Sequence, residues 1–398
     1  MQTSKRAKLD TVPAGGAACC AALALLLGGC TRASSAAGRV APTSALTQAE
    51  VTRFVAALDS LRTAARIPGL SVAVVHDGRV VVARGFGYAD VERRIPATAE
   101  TPYNIASVTK PLAAVVALRL VERGQLDLDR PMTAYDGFTD FCAEARSGGP
   151  PLFFRDYACD AGSGANGSPP LTLRHVMSMT ANGVPGTRFF YNPVSYSWAS
   201  RPMMQVTGRS FSDLVAEYVF GPAGMTRSAR IHRALPAPAL LAAALAKPYH
   251  VDSAGAVVRS PDPPPQGDGA AGGVLSTVTD LARFDIALDA GRLLGDSARA
   301  LLWTPARTPS GATLPYGIGW YVQSYQGRRL LWHSGWWEQA YSALYLKVPD
   351  RRLTVILLAN SEGLWWQNPL DAAEVHRSPF AALFLRQLAG FEGRPGAP

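Results

Sequence analysis

Runs able to form β-strands stand at the two ends of this chain, with a mainly helical pattern between them. Residues 70–90, LSVAVVHDGRVVVARGFGYAD, place two β-branched runs about Asp77-Gly78, a strong hairpin signal. YGIGWYVQ, RRLLWHSG, AYSALYLKV and RRLTVILLAN, all between 316 and 360, add four more runs separated by turn residues. A lone hairpin is at best marginal, and strands so far apart in sequence are stable only when they join one sheet. The expected fold is therefore α/β (α+β). One antiparallel sheet is built from N- and C-terminal strands and flanked by helices, with a helical lobe inserted.

The helices are read from spacing and punctuation. LTQAEVTRFVAALDSLRTAARI opens on a Thr47-x-x-Glu50 capping box, and STVTDLARFDIALDAG starts at Ser276 or Thr277 and ends at Gly291. LTLRHVMSMT, FSDLVAEYVFGPAGM and the terminal SPFAALFLRQLAG also have helical period. Between 135 and 170 the pattern breaks into an irregular Gly-, Pro- and aromatic-rich insert, and the tracts 234–248 and 260–272 bracket a weak strand or loop.

The N-terminus reads as an export segment. Lys5, Arg6 and Lys8 precede an apolar run too short to span a bilayer, and the run ends in Leu27-Gly28-Gly29-Cys30. That ending resembles a bacterial lipobox, so the expected layout begins with a signal peptide at 1–29. A lipidated Cys30 and flexible tether follow at 30–45, with ordinary cleavage after small residues as the alternative. The remainder is a folded domain at 46–390, with its sheet lobe at about 46–106 and 312–390 and its helical lobe at about 107–311. A short tail occupies 391–398. The expected location is the cell envelope, lipid-anchored and exported, on the periplasmic outer membrane if the source is Gram-negative. Removing the leader lowers the formal charge from +9 to +7, carried by scattered arginines, so a membrane surface is an expected partner and nucleic acid is not. Cys142 and Cys159 are the cysteines left in the body of an exported chain. A disulfide between them is expected, with two buried free thiols as the alternative.

Chemistry centres on NIASVTKPLAAVVALRLVERGQL. Ser107 and Lys110 are three residues apart on one helix face, so the amine can reach the hydroxyl. Only Lys110, Lys247 and Lys347 lie beyond residue 29, which makes a chance pairing uncommon. By itself the pair reads equally as a nucleophile with its base or as a serine starting a helix.

Three further stretches decide between these readings: PGTRFFYNPVSYSW with Tyr191, RLLWHSGWW with His333, Ser334 and Gly335, and the Gly-rich AAGGVLSTVTDLARF. In this order they resemble the serine β-lactamase-like superfamily, in the branch of class C β-lactamases, D-alanyl-D-alanine carboxypeptidases and related esterases. The resemblance spans about residues 46–390. It implies an acyl-enzyme formed on Ser107, with Lys110 and Tyr191 managing protons, and hydrolysis of an ester or amide without a cofactor. His333, Ser334 and Gly335, with Asn192, would bind substrate, Gly335 letting it lie against the strand, and the Ser107 and Trp336 N–H groups would hold the oxyanion.

Three departures from the pattern stand out. Pro193 occupies the asparagine position of Tyr-x-Asn, leaving Asn192 as the adjacent amide, and Met179-Thr180-Ala181-Asn182 replaces His-Thr-Ser-Gly. Trp336 and Trp337 follow the strand glycine where a small residue is common. Losing an amide and gaining two indoles points from β-lactams toward an apolar or aromatic acyl substrate, small molecule or peptide. A binding lipoprotein without turnover is the alternative. The six histidines form no metal-ligand spacing, so no metal is expected.

Overall fold

The structure, a computed structural model, describes residues 45–161 and 167–392. The signal segment, Cys30 and nearly all of the tether fall outside these residues, as does most of the tail. The described chain opens on helix α1, Gln48–Ala64, whose N-terminus carries the Thr47–Glu50 capping box in full. Its Phe54 meets Phe384 of the terminal helix Pro379–Gln387 edge-on at 6.4 Å, so the first and last helices share one core.

The main sheet has seven strands. They are β1 Gly69–His76, β2 Arg79–Asp90, β3 Ile95–Pro96, β4 Tyr321–Tyr325, β5 Arg328–Trp337, β6 Tyr341–Val348 and β7 Leu353–Ala359. Their order is β3-β2-β1-β7-β6-β5-β4, antiparallel throughout. The two ends of the chain meet where β1 pairs β7, from Leu70 opposite Ala359 to His76 opposite Leu353. Every residue of β1, β6 and β7 is buried. A strand covered on both faces needs continuous rather than alternating apolar sequence, and GLSVAVVH and LTVILLA supply it. At the β1–β2 hairpin, Asp77 and Gly78 both take positive φ, +50° and +72°, as a two-residue type I′ turn requires.

Several boundaries differ from the sequence reading. YGIGWYVQ is strand only from Tyr321, because Gly319 at φ +74° turns the chain back. A Cβ at Gly319 would come within 2.8 Å of the Lys110 carbonyl and of Tyr196 Oη, so the turn packs directly on the segment that carries Lys110. Between the two Pro/Ala-rich tracts, Tyr249–Val251 and Val257–Arg259 pair as a small hairpin. Thr277, not Ser276, caps the helix Val278–Asp289, accepting from the Asp280 N–H at 3.0 Å.

The 135–170 insert is more regular than its composition suggests, with helices at Phe138–Gly148 and Pro151–Phe154. Cys142 and Cys159 are disulfide-bonded, with Cα atoms 5.8 Å apart, which removes the free-thiol alternative. Phe138, Phe141, Phe154, Tyr157 and Trp198 form an aromatic cluster, mostly edge-to-face, that gives the insert a core of its own.

Candidate active site

Ser107 lies in a 3-10 turn, Ala106–Val108, that leads directly into helix α2, Thr109–Glu122. In a 3-10 turn residues three apart eclipse one another, and Lys110 Nζ is accordingly 2.7 Å from Ser107 Oγ. The turn is held from both sides. The Ile105 N–H donates to the Val274 carbonyl at 3.0 Å, and the Ala106 N–H donates to Asn104 Oδ1 at 2.9 Å. Ala106 sits at φ +46°, a strained value for a residue with a Cβ, immediately before the nucleophile.

Lys110 is fully buried, while Ser107 is partly open to a cleft. Burial pushes the Lys110 amine well below its ordinary pKa, because the charged form loses its hydration. Its nitrogen also donates to the Ala271 carbonyl at 3.1 Å. A neutral amine so engaged presents its lone pair to Ser107 Oγ–H, which is the geometry of a general base. Tyr191 is buried beside them, its ring centroid 5.1 Å from Nζ, and its side chain lines the cleft together with Ser107. Burial pushes the Tyr191 phenol above its ordinary value, and the neighbouring Ser107 only partly offsets this. Burial thus disfavours charge on both side chains, favouring an amine that can accept a proton and a phenol that can donate one.

The strand residues divide by face. Ser334 and Trp336 line the cleft, whereas Gly335 points the other way. A Cβ at Gly335 would stand 2.3 Å from the Ile105 carbonyl oxygen, so this glycine lets β5 lie against the catalytic turn rather than against substrate. His333 also leaves the cleft. Its Nδ1 meets the Ser334 carbonyl at 2.7 Å and can only donate there, so Nε2 accepts from the Tyr316 hydroxyl at 2.9 Å. Burial holds His333 well below its usual pKa, which disfavours its charged form. The expectation that His333 binds substrate is corrected: both ring nitrogens are already engaged inside the protein.

Asn192 is corrected in the same way. It caps the helix Pro193–Trp198, accepting from the Ser195 N–H at 3.0 Å, and its amide donates to the Phe153 carbonyl at 2.9 Å and to Asn182 Oδ1 at 3.1 Å. Every polar atom of the side chain is turned away from the cleft. Pro193 follows at the first helical position, where its missing N–H costs nothing, and its ring lines the cleft.

The cleft has a volume of about 480 Å³ and opens on Ser107 between Tyr191, Tyr321, Phe153, Trp336, Trp337 and Trp365. Trp336 stacks on Trp365 at 5.5 Å, and its indole N–H donates to Glu362 at 3.1 Å. Among the described residues that line the cleft, Glu338 alone carries a formal charge. Sequence reasoning missed Ala271, which acts through a backbone carbonyl, and Arg230, which holds Ala271's loop in place. The buried Arg230 guanidinium donates to the Gly267 carbonyl at 2.9 Å and the Gly269 carbonyl at 2.7 Å. The Gly-rich tract around 267–273 was the visible signal, because carbonyl-rich loops of small residues need an internal donor.

A family model described as beta-lactamase matches residues 51–376, most of the chain. The chain belongs to the β-lactamase family. Among curated relatives, penicillin-binding protein 4* of Bacillus subtilis is 27% identical over 73% of this chain and 68% of its own length. A D-aminopeptidase of Gluconobacter oxydans is 29% identical over 77% of this chain, which spans 58% of that enzyme's length. Among solved structures, an octameric penicillin-binding protein homologue from Pyrococcus abyssi superimposes with a TM-score of 0.66 at 24% identity. That match covers 84% of this chain and 77% of the other. The β-lactamase-family fold and the serine hydrolase class expected from the motifs are both met.

Proposed function

We propose that this β-lactamase-family protein hydrolyses amides or esters through an acyl-enzyme on Ser107, and that its substrates carry an apolar or aromatic group and no carboxylate near the scissile bond. The observation that carries the reading is the buried, neutral Lys110 amine 2.7 Å from the one cleft-facing hydroxyl it can deprotonate. As Ser107 Oγ attacks the carbonyl carbon, its proton passes to Lys110 Nζ. The oxyanion is met by the Ser107 and Trp336 N–H groups, and Tyr191 relays the proton to the leaving nitrogen or oxygen as that bond breaks. Water reverses the sequence and frees the acid.

Substrate class follows from the walls. The aromatic side chains favour apolar and π-bearing groups. With Glu338 alone charged among the described lining residues, an anionic substrate would meet repulsion and a neutral or amine-bearing one would not. The D-aminopeptidase relative is consistent with an amine-bearing amide. We further propose, from the lipobox-like Leu27–Cys30, that the exported chain is lipidated at Cys30; loss of alkyne-fatty-acid labelling in Cys30→Ala tests this.

Intact-mass spectrometry after exposure to a fluorophosphonate and to a labelled penicillin tests the hydrolase reading, with Ser107→Ala as control. Rapid fluorophosphonate addition at Ser107 with slow penicillin addition is expected. No adduct from either reagent would instead make the protein a binding protein on this fold.

A further inference from the structure

Among its described residues, the insert that carries the disulfide reaches the cleft through one side chain. Phe153 belongs to the short helix Pro151–Phe154 and forms part of the wall around Ser107. Its backbone carbonyl accepts two side-chain amides at 2.9 Å, one from Asn182 and one from Asn192. Asn182 also donates to Asp156 Oδ1 at 2.9 Å, and the Gly183 N–H donates to the Asp156 carbonyl at 2.7 Å. The Ala158 N–H donates to the Ala181 carbonyl at 3.1 Å, and Arg188 pairs with Asp156. Next to these, the Cys142–Cys159 bridge closes the loop that contains Phe153. The stretch 181–192, which ends on Tyr191 and Asn192, is thus stitched to the insert along its length.

Two of the departures from the family pattern take part in this stitching. Asn182 stands where the pattern has glycine. Asn192 forms the second arm, and Pro193 starts the helix that Asn192 caps. Asn182 and Asn192 are both buried and bonded to each other, and two buried amides persist only when their hydrogen bonds are met. The carbonyl of Phe153 is where they are met. A flexible loop would not need two buried donors on a single carbonyl; a wall that must hold its place does.

We infer that the disulfide-closed insert is the specificity wall of the cleft: Phe153 discriminates among acyl groups delivered to Ser107, and Asn182, Asn192 and the Cys142–Cys159 bridge are positioning elements that hold it there. The inference rests on the hydrolase reading for its kinetic form, but the binding form stands without turnover. On this inference an aromatic acyl group gains contact with Phe153 that a two-carbon acyl group lacks. Selectivity between the two therefore resides in a segment that contributes nothing to proton transfer.

The test compares wild type with Phe153→Ala, Phe153→Leu and the double variant Cys142→Ser/Cys159→Ser. Two readouts are taken: kcat/KM for the p-nitrophenyl esters of 3-phenylpropionate and acetate, and calorimetric Kd for 3-phenylpropionamide. In Phe153→Ala the phenylpropionate-to-acetate ratio should fall about tenfold, with most of the change in KM, and the amide Kd should rise by a similar factor. Phe153→Leu should recover part of the ratio, and the cysteine variant should shift it in the same direction while fluorophosphonate still labels Ser107 at the wild-type rate. A ratio and Kd within about twofold of wild type in Phe153→Ala would overturn the inference, whatever the cysteine variant does. If no variant turns over either ester yet Kd still depends on Phe153, the hydrolase reading fails and the wall remains.

Discussion

Gly335→Ala measures how closely the catalytic turn depends on its contact with β5. The glycine does not occupy the left-handed region, so alanine meets no backbone penalty and the effect is steric alone. The new methyl would stand 2.3 Å from the Ile105 oxygen and 3.2 Å from both the Ile105 carbonyl carbon and Ala343 Cβ. Ordinary contact begins near 3.4 Å, so strand and turn must part by about 1.1 Å. Ile105 is two residues before Ser107, and Trp336 is next to Gly335, so the separation opens between nucleophile and proposed oxyanion donor. A misplacement of that size costs about 10²-fold in rate, and overpacking costs about 1–3 kcal/mol of stability. Second-order rate constants for fluorophosphonate labelling of Ser107, together with thermal melting, give both numbers. Gly78→Ala is the control: nothing lies within 4 Å of its Cβ, but its φ of +72° strains alanine, so it should lower Tm and leave labelling alone. Labelling of Gly335→Ala at the wild-type rate with unchanged Tm would refute the idea that this contact sets the site.

Lys110→Ala should slow labelling of Ser107 by about 10²–10⁴-fold. In wild type the rate should rise with pH, because burial lowers the Lys110 pKa and its neutral, active fraction grows as pH climbs through that depressed value; Tyr191, shifted upward, keeps its proton across the same range. A pH–rate profile shows this limb, and Lys110→Ala should lack it. Away from the cleft, the buried Lys347 is paired with Asp285 and, at 2.9 Å, with Asp289. Lys347→Met leaves the buried Asp285 carboxylate without its cation and should cost about 3–5 kcal/mol in urea unfolding, with little change in Ser107 labelling. Pro193→Asn returns an amide to the cleft without disturbing the Asn192 cap. It should raise the rate of penicillin adduct formation about tenfold, the worth of one hydrogen bond, as read by mass spectrometry.

The architecture was legible where a residue pattern has one structural solution. Alternation and an Asp-Gly turn specify a hairpin, and strand runs at both ends specify a sheet that closes across the chain. Ser107, Lys110 and Tyr191 were legible because their spacing and order carry the chemistry. His333, Gly335 and Asn192 were assigned to substrate because a motif names residue types without saying which face they occupy. One residue of register sends Gly335 to the catalytic turn, and a helix cap turns Asn192 inward. The structure in the 135–170 insert was hidden because Gly and Pro mask short helices, and its aromatic cluster forms from residues that periodicity does not group. Backbone groups such as the Ala271 carbonyl leave no mark on side-chain identity.

The pairing of β1 with β7 also orders events in the life of the chain. Leu70 waits for Ala359, 289 residues later, before the centre of the sheet can form. Ser107 leaves the ribosome early, but β5, with Gly335 and Trp336, follows more than two hundred residues behind. Contacts of such long range form late and slowly. The unfinished length of the nascent polypeptide consequently keeps Ser107 and β5 apart, and a chain cut short before β7 should not assemble the site around Ser107.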